Sequence, residues 1–170
     1  MKVLLVLPTN RSYVSQPNLG LGYLASSLRK AGHSVFLLDG LRTKLTLERF
    51  RDIIRRSRFD AIGFHMFSQD YHWVAACCSV VKQIDGGIIT LAGGPHPSGD
   101  PDGTIKEMAD LDFLFSGESD LALTELLALI ESDSMQVDSL SQIPGLYSKD
   151  IHQTTKLDDC IVRSGGSAYC

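Results

Sequence analysis

Five short apolar runs alternate with five stretches that repeat apolar residues at helical spacing, and this alternation leaves few ways for the chain to fold. Lys2–Leu7 is apolar without interruption, as expected of a strand covered on both faces. Ser34–Leu38, Ala61–Phe67, Gly87–Ala92 and Asp112–Phe115 read as four further strands. Pro17–Ala31 sets Leu21, Leu24, Ala25 and Leu28 on one helix face and is closed by Gly32. Thr46–Arg58 repeats Leu47, Phe50, Ile53 and Ile54, and Tyr71–Ile84 repeats Val74, Cys77, Cys78, Val81 and Ile84. Thr104–Ala109 predicts a short helix, and Asp120–Ile130 turns Leu123, Leu126, Leu127 and Ile130 inward. Strands alternating with helices are the α/β signature. Each crossover is long enough to bring the chain back parallel, with right-handed sense. The expectation is a flavodoxin-like, Rossmann-like doubly wound sheet of five parallel strands, in the order 2-1-3-4-5. Ligands of such sheets sit outside the carboxyl ends of the strands, at the switch between strands 1 and 3.

The chain's 170 residues fit one such domain, expected over residues 1–131. Residues 132–170 are polar and mixed and read as an extension or linker, within which Pro144–Tyr147 could begin a small strand. A net charge of −4 disfavours a general nucleic-acid binder, which needs a basic face to displace counterions. No apolar stretch approaches the roughly 20 residues of a membrane helix, so no membrane partner is expected. Met1-Lys2-Val3 runs directly into a strand rather than a signal peptide. Four cysteines, two of them adjacent, are not a secreted disulfide framework, and the expected location is the cytoplasm.

The strand-end loops narrow the chemistry. Pro8–Gln16 follows strand 1 without Gly-x-Gly-x-x-Gly or Gly-Lys-Ser/Thr, so neither the dinucleotide fingerprint nor the P-loop is present. Gly93-Gly94-Pro95-His96-Pro97-Ser98 ends strand 4, and Gly117-Glu118 ends strand 5. Paired glycines at a strand end permit close approach to the backbone. Small residues on neighbouring strand ends suggest a groove for something long and thin. A branched residue at Gly94 is expected to obstruct such a groove, and to leave the fold intact only if φ there is negative.

Several spaced motifs occur together in order. They are Pro17-Asn18-Leu19-Gly20-Leu21-Gly22-Tyr23-Leu24-Ala25, Ala31-Gly32-His33 and Asp39, then Asp60-Ala61-Ile62-Gly63, the Gly93–Ser98 run, and Gly117-Glu118 followed by Leu126. Over about residues 1–131 the chain resembles the amino-terminal cobalamin-binding domain of cobalamin-dependent (class B) radical S-adenosylmethionine enzymes, which include methyltransferases and an anaerobic porphyrin cyclase. The resemblance implies cobalamin as cofactor, its nucleotide tail in the sheet edge and its corrin facing a downstream radical domain. It places Pro8, Asn10, Leu19, Gly20 and Leu21 beside the corrin. It places Phe67, Ser68, Gly93, Gly94, His96, Pro97 and Gly117 along the tail groove. Other readings are a stand-alone corrinoid carrier or sensor docking to a partner enzyme, and a flavodoxin-like domain for another ligand.

Two departures qualify the resemblance. Corrinoid mutases carry Asp-x-His-x-x-Gly after strand 1, whereas this chain has Pro8-Thr9-Asn10-Arg11 and no lower-face histidine there. Asp70–Ala75 mimics part of that motif after strand 3 and reads as coincidence, with Asp70 as a helix N-cap. The radical domain's Cys-x-x-x-Cys-x-x-Cys is also missing. S-adenosylmethionine and an iron–sulfur cluster are therefore expected only in a separate domain, and no catalytic or metal-ligating residue is assigned to this chain. Cys77 and Cys78 read as core; His65 reads as a hydrogen-bonded strand residue, or, near the tail groove, as a contact to the nucleotide base; and the arginines of Thr46–Arg58 read as a solvated face, the alternative being a docking surface for another domain.

Overall fold

The computed structural model describes residues 1–9 and 18–150. Strand β1 (Lys2–Leu7) leads to helix α1 (Leu19–Lys30), which starts where Asn18 Oδ1 accepts the Leu21 N–H at 2.9 Å. Next come β2 (Ser34–Asp39), the single-turn helix α2 (Gly40–Thr43), and α3 (Leu47–Arg56), capped by Thr46. β3 (Ala61–His65) passes through a 3₁₀ turn (Ser68–Asp70) into α4 (Tyr71–Ile84). β4 (Ile89–Gly93) is followed by the short helices α5 (Pro95–Gly99) and α6 (Pro101–Glu107), then β5 (Phe113–Phe115). α7 (Asp120–Glu131), α8 (Val137–Ser141) and β6 (Leu146–Tyr147) complete the described chain.

The strands form one sheet in the order β2-β1-β3-β4-β5-β6. The first five pair parallel in the expected order, and β6 adds antiparallel to β5. The sheet thus has six strands rather than the five read from sequence. A two-residue strand shows no periodicity, and its pairing depends on Gly145, whose φ is +70°. There the backbone turns tightly enough for the Gly145 carbonyl to accept the Ser116 N–H at 2.8 Å. Leu140, Ile143, Leu146 and Tyr147, all in the stretch read as a polar extension, are buried.

Side chains alternate across the sheet, as strand geometry requires. Leu4, Val6, Ile62, Phe64, Ala92 and Leu114 pack against α3, α4 and α6. Val3, Leu5, Ala61, Leu91 and Phe115 pack against α1 and α7. Cys77 and Cys78 lie in the first of these cores as free thiols, and burial pushes both well above the ordinary thiol range. Arg49, Arg55, Arg56 and Arg58 are exposed.

Below the strands' amino ends, one carboxylate organises β4 and β5. Asp112 Oδ2 accepts from Lys82 Nζ at 2.6 Å, from the Thr90 N–H at 2.8 Å and from Thr90 Oγ1 at 3.0 Å. The donors in this cluster, Lys82 Nζ, the Thr90 N–H and hydroxyl and the Asp112 N–H, all have acceptors, so its work is structural.

Candidate binding groove at the carboxyl edge

The groove begins as a gap in one row of side chains. On the face covered by α1 and α7, the sheet register sets Leu5, Gly63 and Leu91 side by side. Gly63 supplies no side chain, so the row is open at its middle. A Cβ there would lie 3.1 Å from Leu5 Cδ2 and 3.9 Å from Leu91 Cβ. One step toward the carboxyl edge, His65 pairs with Gly93, where a Cβ would only touch Phe115 at 3.9 Å. At Gly117 nothing lies within 4 Å of such an atom. The first turn of α1, with Asn18, Gly20, Leu21 and Leu24, forms one wall. Glu118, Ser119, Asp120 and Leu123 at the start of α7 form the other. The space between these walls, with the open solvent at the mouth included, is about 730 Å³.

Among the described residues the lining contains no lysine or arginine, while Glu118 and Asp120 stand at its wall. A site with an apolar floor and acidic edge suits an uncharged ring system rather than a phosphate. His65 is the nitrogen base within it. Its ring stacks on Phe67 with centroids 4.9 Å apart, and its Nδ1 is buried without a hydrogen-bond partner. The expected hydrogen-bonded core role is therefore not what the fold provides. Burial holds the imidazole's pKa below its ordinary value.

Gly94 has φ +113°, and a Cβ there would lie 2.7 Å from His65 Nδ1 and 3.0 Å from the Met66 carbonyl oxygen. The condition for tolerating a branched residue fails, because the backbone itself requires glycine at this position. Asp70 also differs from expectation. Its Oδ2 reaches back to the Phe67 N–H at 3.1 Å instead of capping α4, and its Oδ1 is buried without a partner. Burial raises its pKa, partly offset by that backbone bond.

Of the residues singled out in the sequence, Gly20, Leu21, Gly93, Gly94 and Gly117 come together in the groove. Phe67, Ser68, His96 and Pro97 do not line it. α5 starts immediately after Gly94 and carries the last two toward α4. There His96 Nδ1 meets Ser68 Oγ at 3.0 Å and the ring abuts Tyr71 at 5.4 Å. Pro97 is buried, Leu19 is 71% exposed on the first turn of α1, and Pro8 follows β1 at the carboxyl edge. Asn10 lies outside the described residues. Sequence reasoning missed Leu5, Leu24, Leu91, Phe115 and Leu123, which looked like ordinary core, and Gly63 as the gap among them. A lone glycine inside an apolar strand was the available signal.

Residues 8–127 match the B12 binding domain family. The chain belongs to that family. This B12-binding domain is 32% identical over 133 residues to the uncharacterized methyltransferase PH0819 of Pyrococcus horikoshii, covering 75% of this chain and 29% of that protein. It is 22% identical over 144 residues to the anaerobic magnesium-protoporphyrin IX monomethyl ester cyclase of Rubrivivax gelatinosus, covering 81% of this chain and 26% of the cyclase. The domain therefore spans less than a third of either relative's length. In fold it matches TsrM of Kitasatospora setae, a radical S-adenosylmethionine methyltransferase solved with cobalamin and a 4Fe–4S cluster bound. The TM-score is 0.73 at 17% identity, over 86% of this chain and 28% of TsrM. Among the described residues no group of three or more His, Cys, Asp or Glu side chains could hold a metal, and no helix is long and apolar enough to cross a membrane.

Proposed function

We propose that this domain holds cobalamin at the carboxyl edge of its sheet with the nucleotide tail in the groove, as the binding module of a radical S-adenosylmethionine methyltransferase or cyclase. The observation that carries the reading is the open Leu5–Gly63–Leu91 row beneath Gly93 and Gly117. Among the described residues it is an apolar slot free of cationic side chains, suited to the uncharged heteroaromatic end of the tail. Gly20 and Leu21 at the α1 wall, with Leu19 next to them and Pro8 just past the end of β1, would support the corrin. Bound cobalamin supplies a cobalt centre able to accept and pass on a methyl group or assist a radical step. The protein's share is to bind, orient and shield. The chain after Asp150, rather than all of residues 132–170, would lead toward a downstream radical domain, where S-adenosylmethionine and the iron–sulfur cluster belong. The relatives' much greater lengths support a larger working unit.

Equilibrium dialysis of the 170-residue chain against hydroxocobalamin and methylcobalamin tests the reading. Retention of corrinoid, with a rise in melting temperature as a ligand selective for the folded state requires, is the expected result. Retention no greater than by an unrelated flavodoxin-like protein would refute it.

A further inference from the structure

Two buried side-chain polar atoms among the described residues lack partners, and only one of them, His65 Nδ1, belongs to a residue lining the groove. Polar atoms buried without partners are uncommon and call for a reason. The geometry around the ring fixes its tautomer. The Nδ1–Cε1 edge packs against Gly94, where even a Cβ would come within 2.7 Å and 3.0 Å of those two atoms. A proton on Nδ1 would be a buried N–H with no acceptor, the rarer and costlier kind of unsatisfied group. The single proton of the neutral ring therefore sits on Nε2, the nitrogen left available to the groove. Desolvation keeps the ring neutral, and the stack on Phe67 holds its plane. His65 is thus an oriented N–H donor in a site whose floor is otherwise Leu5, Leu91, Phe115 and glycine.

We infer that His65 is a specificity-determining residue of the groove, donating through Nε2–H to an acceptor nitrogen on the tail's base and so favouring cobamides with a nitrogen-heterocyclic base over those with a phenolic one. The inference rests on the corrinoid reading above. A benzimidazole detached from cobalt presents an unprotonated ring nitrogen as acceptor. A phenol-derived base has a ring of similar breadth and no such nitrogen, so it leaves the buried donor unpaired. Sites built to hydrogen-bond a ligand reject the analogue that lacks the partner more strongly than apolar fit alone can.

The experiment is a double-mutant cycle by equilibrium dialysis: cobalamin and a p-cresol-based cobamide against the wild-type chain and His65→Phe. Phenylalanine preserves the ring and its stack on Phe67 while removing the donor. The cost of detaching benzimidazole from cobalt is the same for both proteins and cancels in the ratio of ratios. The preference for cobalamin should fall about tenfold in His65→Phe, the scale of one hydrogen bond to a buried group. His65→Gln, which restores an N–H donor, should recover part of it. Cobinamide, which has no nucleotide base, should bind both proteins alike. If His65→Phe fails to fold by circular dichroism, His65→Leu takes its place in the cycle. An unchanged preference in a folded variant overturns the assignment to His65 while leaving the corrinoid reading standing. No binding of any corrinoid by the wild type overturns both.

Discussion

Replacing Gly63 by valine tests most directly whether the gap in the sheet row is the binding slot. The backbone at Gly63 lies outside the left-handed region, so a side chain brings no conformational penalty. Its Cβ would meet the tip of Leu5 at 3.1 Å, a flexible contact able to yield by a few tenths of an ångström. Glycine in a strand interior costs roughly 0.5–1 kcal/mol relative to alanine, which offsets that adjustment. Gly63→Ala should therefore stay within about 1 kcal/mol of wild type in denaturant unfolding. Valine adds two further carbons to the slot, and overpacking of this order costs about 1–3 kcal/mol. Set against a ligand that needs the same space, this corresponds to a roughly 5- to 150-fold rise in Kd for cobalamin. Dialysis and a thermal melt on the same preparation separate occupancy from unfolding. A folded Gly63→Val that binds within about twofold of wild type would show that the ligand does not use this row.

Further expectations concern neighbouring features. Gly145→Ala should destabilise the fold by about 1–3 kcal/mol, read by urea unfolding, because φ is +70° and the new Cβ would run into the Ser116 carbonyl. Asp112→Ala should cost about 1–3 kcal/mol in the same assay, since it leaves the Thr90 N–H without its acceptor, while Lys82 keeps the Ile88 carbonyl and Thr90 Oγ1 the Asp110 carbonyl. Electron paramagnetic resonance of the cob(II)alamin complex should show no nitrogen superhyperfine splitting on the cobalt lines, reporting a base-off cofactor without a histidine below. Splitting that vanished in His65→Ala or His72→Ala would name the ligand instead. Because burial holds His65 below 6.5, the unfolded chain takes up this proton first as pH falls past that value. The histidine's contribution to stability is thus complete above pH 6.5 and is lost as pH drops toward its folded pKa. His65→Phe should flatten that limb of a stability–pH curve, and an identical curve would contradict the assignment.

The parallel core was legible because each long element carries its own period. Val3 and Leu5 face one way and Leu4 and Val6 the other, and the regularly spaced leucines of α7 admit one orientation. Of β6, a small strand within Pro144–Tyr147 was legible but its place in the sheet was not, since two residues hold no period and their pairing depends on a tight turn at Gly145 and a partner about thirty residues upstream. Within the groove, Gly93, Gly94 and Gly117 announced themselves as glycines at strand ends, whereas Gly63, inside an apolar run, did not. Leu5, Leu91 and Phe115 did not, because a residue lining a slot and a residue filling a core have the same chemistry. His96 and Ser68 were placed along the groove by the family resemblance. Only the turn of α5 decides that they bond to each other.

The reversed direction of β6 also settles where the described chain comes out. Lys149 bonds the Ala109 carbonyl, and Asp150 stands with Gly86, Gly87 and Asp112 by the strands' amino ends, whereas the groove opens at their carboxyl ends. A six-residue strand such as β1 is about 20 Å long. Any later segment that is to close over the groove must first travel that distance back along the outside of the domain, using at least about six extended residues. Under the function proposed above, contact between the groove and a downstream domain would be a matter of tether length, and shortening the connection after Asp150 should uncouple the two while leaving both folded.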